Sequence, residues 1–129
     1  LADGKRPEES GSPIISEVKS YIDNHFTESL QLKDIAGAHY ISRFYLSHIF
    51  KEETGYSPIH YLIGRRIEEA KRLLADTQMS IQDIAQYVGY DNPSHFNSLF
   101  KRETGMSAAA YRRWLRSAEN RTGAGKTSR

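Results

Sequence analysis

Pro93-Ser94-His95-Phe96-Asn97-Ser98-Leu99-Phe100-Lys101-Arg102-Glu103-Thr104 has the spacing of a helix with one apolar side, and Arg43 to Thr54 repeats its pattern earlier in the chain. Phe50-Lys51-Glu52-Glu53-Thr54-Gly55-Tyr56-Ser57 runs parallel to Phe100-Lys101-Arg102-Glu103-Thr104-Gly105-Met106-Ser107 at a constant offset, which Tyr61 and Tyr111 keep. Upstream, Asp34-Ile35-Ala36 matches Asp83-Ile84-Ala85, with one extra residue between there and the second copy of the helix. A repeat takes precedence over any single motif, and two copies are too few for a solenoid. The pattern therefore predicts two small helical units joined by a connector.

Outward from the quoted helix, Asn92 supplies a cap, Pro93 the first helical position and Gly105 the stop, with Phe96, Leu99 and Phe100 inward. Before it, Ser80 caps a short helix through Val88 with Ile81, Ile84 and Ala85 inward, and Gly89 makes a turn. After it, Ser107 begins a last helix through about Leu115, anchored by Tyr111 and Trp114. Residues 117–129 read as a disordered basic tail. Ser57-Pro58 opens a longer helix to about Ala75, along which Ile59, Leu62, Ile63, Ile67, Ala70, Leu73 and Leu74 form an apolar stripe. About 17 residues at 1.5 Å each predict a spacer of roughly 26 Å. In the first copy Ser42 caps the helix 43–54, Leu46, Ile49 and Phe50 face inward, and Gly55 stops it. A short helix ending near Ala38-His39 precedes it through Leu32, Ile35 and Ala36. Gln31, standing where Ser80 stands in the second copy, predicts a weaker start. Ser12-Pro13 opens a first helix, 13–26, with Ile15, Val18, Ile22 and Phe26 on one face. The fold class is all-α with about seven helices: a flexible arm at 1–12, a first subdomain at 13–57, a connector at 58–75 and a second subdomain at 76–116.

A chain of 129 residues forms one compact domain or two very small ones, too short for an enzyme with a separate substrate domain. With 38% hydrophobic and 26% charged residues it fits a soluble globular class. No run approaches the ~18 apolar residues of a membrane span and no signal-peptide pattern opens the chain, so a cytoplasmic protein without a membrane partner is expected. The start at Leu1 without Met reads as a fragment of something longer. The absence of cysteine excludes disulfides and thiolate metal sites. The net charge is +2, but residues 112–129 hold six Arg or Lys against Glu119, which leaves −3 for residues 1–111. Composition alone does not point to nucleic acid; any basic surface must come from arrangement.

A short helix, a tight turn and a second helix with a sharp apolar face make the helix-turn-helix pattern, whose second helix enters the major groove of DNA. With Leu46, Ile49 and Phe50 inward, the opposite stripe is Phe44, Ser47, His48 and Lys51, flanked by Arg43. In the second copy it is Ser94, Asn97, Ser98 and Lys101, flanked by His95. Such side chains reach base edges or phosphates, and an exposed aromatic can touch a thymine methyl. Blander roles stand beside these. The serines and Asn97 can be plain solvent-face residues, and His48 a solvated histidine. His95 can pack on the turn, and Phe44 on Tyr40 or Tyr45. Neither stripe carries an acid, while Glu52, Glu53 and Glu103 lie toward the helix ends. On the connector, Arg65, Arg66, Lys71 and Arg72 are expected to pair with Glu68, Glu69 and Asp76. Five histidines raise catalysis or metal binding, but no His-x-x-x-His, no Gly-rich phosphate loop and no nucleophile elbow occurs. No cofactor, metal or enzymatic activity is expected.

Asp83-Ile84-Ala85-Gln86-Tyr87-Val88-Gly89-Tyr90-Asp91-Asn92-Pro93-Ser94-His95-Phe96-Asn97-Ser98-Leu99-Phe100-Lys101 and Thr104-Gly105-Met106-Ser107 resemble the signature of the AraC/XylS family of bacterial transcription regulators. Asp34-Ile35-Ala36 and Leu46-Ser47-His48-Ile49-Phe50-Lys51 resemble its partner motif. The resemblance covers roughly residues 14–115. It implies two helix-turn-helix subdomains joined by a long helix, reading successive major-groove segments of double-stranded DNA about one turn, ~34 Å, apart. It further implies the C-terminal reader of a ligand-responsive protein that dimerises through a domain absent here; the rival reading is a helical module that binds protein, such as RNA polymerase or a sibling regulator, without reading DNA. The family commonly has arginine where His48 and Ser98 stand and proline where Ala108 stands. Without those arginines the commonest guanine contacts are missing, so base preference is expected to lean on A·T-rich sequence, shape or phosphate contacts.

Overall fold

The repeat starts and stops its helices with the same chemistry in both copies. The computed structural model describes residues 12–127, with side chains described through Glu119. Seven helices occupy these residues: α1 (Pro13–His25), α2 (Leu32–Ala38), α3 (Arg43–Thr54), α4 (Pro58–Asp76), α5 (Ile81–Tyr87), α6 (Pro93–Thr104) and α7 (Ala108–Thr127). Ser42 Oγ accepts from the Tyr45 N–H at 3.0 Å, and Asn92 Oδ1 accepts from Ser94 N–H at 2.9 Å and His95 N–H at 3.3 Å. Each bond satisfies a donor that the first helical turn leaves unpaired.

At the far end Gly55 and Gly105 take left-handed φ values of 90° and 91°, and each donates its N–H to a lysine carbonyl, Lys51 or Lys101, at 2.8 Å. Thr54 and Thr104 hydroxyls each bridge two carbonyls around that turn, Phe50 and Tyr56 in one case, Phe100 and Met106 in the other. Thr77 makes the first of these bonds at the end of α4, donating to Leu73 O at 2.7 Å. The repeated Thr-Gly-x-Ser thus serves as a helix stop followed by the next helix start. The start of α2 is closed from the other side than at α5: the Asp34 carboxylate accepts from Gln31 N–H at 2.8 Å, whereas Ser80 Oγ accepts from Asp83 N–H at 3.0 Å.

Two compact units divide between Arg65 and Arg66, inside α4. In the first, α1 contributes Ile15, Val18 and Ile22, α2 Ile35 and Ala36, α3 Leu46 and Phe50, and α4 Leu62 to one buried cluster. In the second, Ile84, Ala85, Val88, Phe96, Leu99 and Phe100 are buried, and Phe100 meets Tyr111 edge-on at 5.5 Å. The helix expected as a connector is thus divided between the two units.

Three expectations need correction. Arg72 does pair with Glu69, at 2.6 Å, but Arg65 donates to Asp23 at 2.8 Å and covers the Phe26 ring at 4.7 Å. Arg66 is 6% exposed, with its guanidinium 4.8 Å from the Tyr90 ring. Consecutive helical residues point about 100° apart, so these neighbours meet different elements, which spacing within one helix cannot reveal. Lastly, the last helix does not end near Leu115, since α7 runs to Thr127. Sequence reading ends at the last apolar anchor, whereas the helix goes on through good helix formers such as Ala118, Glu119 and Arg121, with no proline to interrupt it. The arm at 1–11 and residues 128–129 lie outside the described residues.

Candidate nucleic-acid interface

Burial of Leu46 and Phe50 fixes which way α3 faces. The opposite side then presents Arg43, Phe44, His48 and Lys51 to solvent, with Ser47 half-buried. Phe44 is 83% exposed, so it is not stapled onto a neighbour. In α6, Phe96, Leu99 and Phe100 are buried, and Ser94, His95, Asn97, Ser98 and Lys101 are all exposed. No acidic residue sits in the first turn of either helix. Each helix thus offers an N-terminal half of uncharged or basic groups at the end where the helix dipole is positive.

His95 packs on the turn, its ring meeting Tyr90 edge-on at 5.4 Å, and it remains exposed to solvent. Tyr90 is buried beneath it between His95, Phe96 and the Arg66 guanidinium. The turn before α6 is thereby held by packing as well as by the Asn92 cap.

Two residues escaped the sequence reading. Glu52 was set apart from the α3 stripe, yet a shallow depression on that helix is lined by Phe44, Ser47, His48, Lys51 and Glu52 together. Its Oε1 lies 3.8 Å from His48 Nε2, as the i,i+4 spacing could have signalled. A glutamate on this face can accept a hydrogen bond from a cytosine amino group. The other is Tyr40. Ile41 N–H donates to Ala36 O at 3.1 Å and Tyr90 N–H to Ala85 O at 2.9 Å, so the two turns superpose in register and Tyr40 stands where the second copy has Gly89. Its φ is +59°, the left-handed region, and its side chain is 95% exposed. The one-residue offset between the copies, read as a bare insertion, concealed the substitution.

Among the described residues no three His, Asp or Glu side chains gather as metal ligands, and no helix is long and apolar enough to cross a membrane.

The helix-turn-helix domain family matches residues 35–114, which span both copies. Among curated proteins, the chain is 38% identical over 100 residues to the uncharacterized HTH-type transcriptional regulator YdiP of Escherichia coli K12, a match that takes in 78% of this chain. It spans only 33% of that regulator's length. Among solved structures, the C-terminal domain of AraT, a response regulator from Geobacillus stearothermophilus, aligns with TM-score 0.78 and 41% identity over 81% of this chain and 87% of that one. The DNA-binding domain of AdpA, a global transcriptional factor solved in complex with a target DNA, aligns with TM-score 0.79 and 30% identity over 84% and 98%.

Proposed function

Because this chain belongs to the AraC/XylS family of helix-turn-helix transcription regulators, and so binds DNA sequence-specifically and regulates transcription, we propose that α3 and α6 are its two recognition helices. Each lies in a major-groove segment of the duplex. Arg43, Phe44, Ser47, His48 and Lys51 serve one segment, and Ser94, His95, Asn97, Ser98 and Lys101 the next. The observation that carries this is the matched register: opposite their buried apolar faces, the two helices carry Ser47 and Asn97, His48 and Ser98, and Lys51 and Lys101 at corresponding positions.

Ser47, His48, Asn97 and Ser98 reach base edges, and Phe44 offers apolar contact to a thymine methyl. Arg43, Lys51 and Lys101 neutralise phosphates and set affinity more than sequence preference. The chain acts by binding, without catalysis, in the cytoplasm. It is the reader of a longer regulator whose remaining part senses a ligand and dimerises, and it meets RNA polymerase at the promoter.

Selection of duplexes from a random library, with the winners titrated at two salt concentrations, tests this. Enrichment of a site with two conserved blocks, bound less tightly as salt rises, is the expected result. Salt-sensitive binding without an enriched sequence would remove base reading from the stripe residues. No binding at all would leave a module that works through protein partners.

A further inference from the structure

Tyr40 does nothing for the fold that a glycine would not do better. Its backbone occupies the left-handed region, which tyrosine tolerates poorly, and the second copy meets the same need with Gly89. Its neighbours hold it there. His39 Nδ1 lies 2.9 Å from Ile35 O with its ring edge-on to Tyr21 at 5.5 Å, while Ile41 packs against the core. With both neighbours turned inward, Tyr40 has one direction left, and its ring stands almost wholly in solvent. A strained, exposed aromatic kept in place by its surroundings is the kind of outlier that points to a contact outside the molecule.

Its position says what that contact is. Tyr40 stands two residues before the Ser42 cap, at the N-terminal mouth of α3, and Phe44 and Tyr45 follow in the first turn, also exposed. When a recognition helix enters the major groove with its N-terminal residues at the bases, the chain just before that helix meets the phosphates at the groove's edge. From these observations, and resting on the reading that α3 enters a groove, we infer that Tyr40 is a DNA-backbone contact whose phenol hydroxyl donates a hydrogen bond to a phosphate oxygen. A hydroxyl donor brings no cation to the phosphate, so this contact adds affinity without releasing a counterion. It belongs to the α3 half alone, because Gly89 has no side chain to offer.

The test uses the whole chain and four variants, Tyr40→Gly, Tyr40→Phe, Phe44→Ala and Lys51→Ala, titrated by fluorescence anisotropy against a selected and an unrelated duplex at several salt concentrations, with thermal unfolding in parallel. Tyr40→Gly is expected to unfold at the same or a higher temperature, yet to bind both duplexes about tenfold more weakly, the loss typical of one hydrogen bond to a charged group. Its salt slope should equal the parent's. Tyr40→Phe should lose most of the same factor. Parental affinity in Tyr40→Gly overturns the inference, and parental affinity in Tyr40→Phe overturns the hydroxyl's role. If Phe44→Ala and Lys51→Ala weaken binding while Tyr40→Gly does not, only this inference falls. If none of the four changes binding, the placement of α3 in a groove falls with it.

Discussion

At the scale of single residues, backbone conformation and side-chain space act separately, and two glycines distinguish them. Gly55 has φ +90° with open space where a Cβ would stand; Gly89 has φ +111°, and a Cβ there would lie 2.8 Å from the Arg66 guanidinium. Arg66 is packed under Tyr90 and cannot swing away freely. Gly55→Ala should therefore cost the conformational strain alone, about 1 kcal/mol, and Gly89→Ala strain plus displacement of Arg66, about 3 kcal/mol. Urea unfolding measures both; Trp114, the sole tryptophan, reports the second unit by fluorescence. Equal costs would mean that Arg66 moves aside without loss. The glycines were legible in the sequence as turn markers, but the reason Gly89 admits nothing larger was not, because Arg66 lies on another helix.

At the scale of elements, helix starts and stops were legible and the clasps between helices were not. Arg112 of α7 donates to Leu74 O at 3.1 Å, Met79 O at 2.7 Å and Thr77 O at 3.3 Å, capping the end of α4 from a distant stretch of chain. Burial and the nearby Arg116 lower its pKa. Arg112→Met should leave those carbonyls without their donor and destabilise the second unit by about 2 kcal/mol, with faster amide exchange around Thr77 to Met79. In the first unit, Tyr61 hydroxyl donates to Asp23 Oδ1 at 2.9 Å, and Arg65 Nε donates to the same oxygen at 2.8 Å. Burial first, then the bond to Asp23, push the Tyr61 pKa up to about 12 from 10.0. A pKa raised in the folded state means that folding holds the proton more tightly. The stabilisation is complete below pH 10.0 and is lost as pH rises through about 12. Alkaline unfolding followed by circular dichroism should show this loss in the parent, while Tyr61→Phe should lack that component of the pH dependence.

For the whole molecule, the repeat predicts that function divides between the units. Asn97→Ala with Ser98→Ala should relax base preference in one block of the selected site and leave the other intact, whereas Ser47→Ala with His48→Ala should do the reverse. Lys101→Ala should weaken all sequences alike and reduce the slope of log affinity against log salt by about 0.9, as expected for one lost phosphate contact. Binding measured on duplexes altered in one block at a time decides between these patterns. If both double variants blur both blocks, the assignment of α3 to one half and α6 to the other is wrong.

By itself the sequence determined the duplication, the outer stripes and the helix boundaries other than the end of α7. Each of these follows from local chemistry: a 3.6-residue period, a capping oxygen, a glycine where the chain must turn left-handed. The bounds of α3 and α6 were readable to the residue because Ser42, Pro93, Gly55 and Gly105 mark them. Tertiary structure alone decided where the long helix divides, what the arginines of α4 and α7 hold and that Tyr40 replaces a glycine while standing in solvent. Those outcomes depend on which side chains meet across elements far apart in the chain, and no periodicity along a single helix records such meetings.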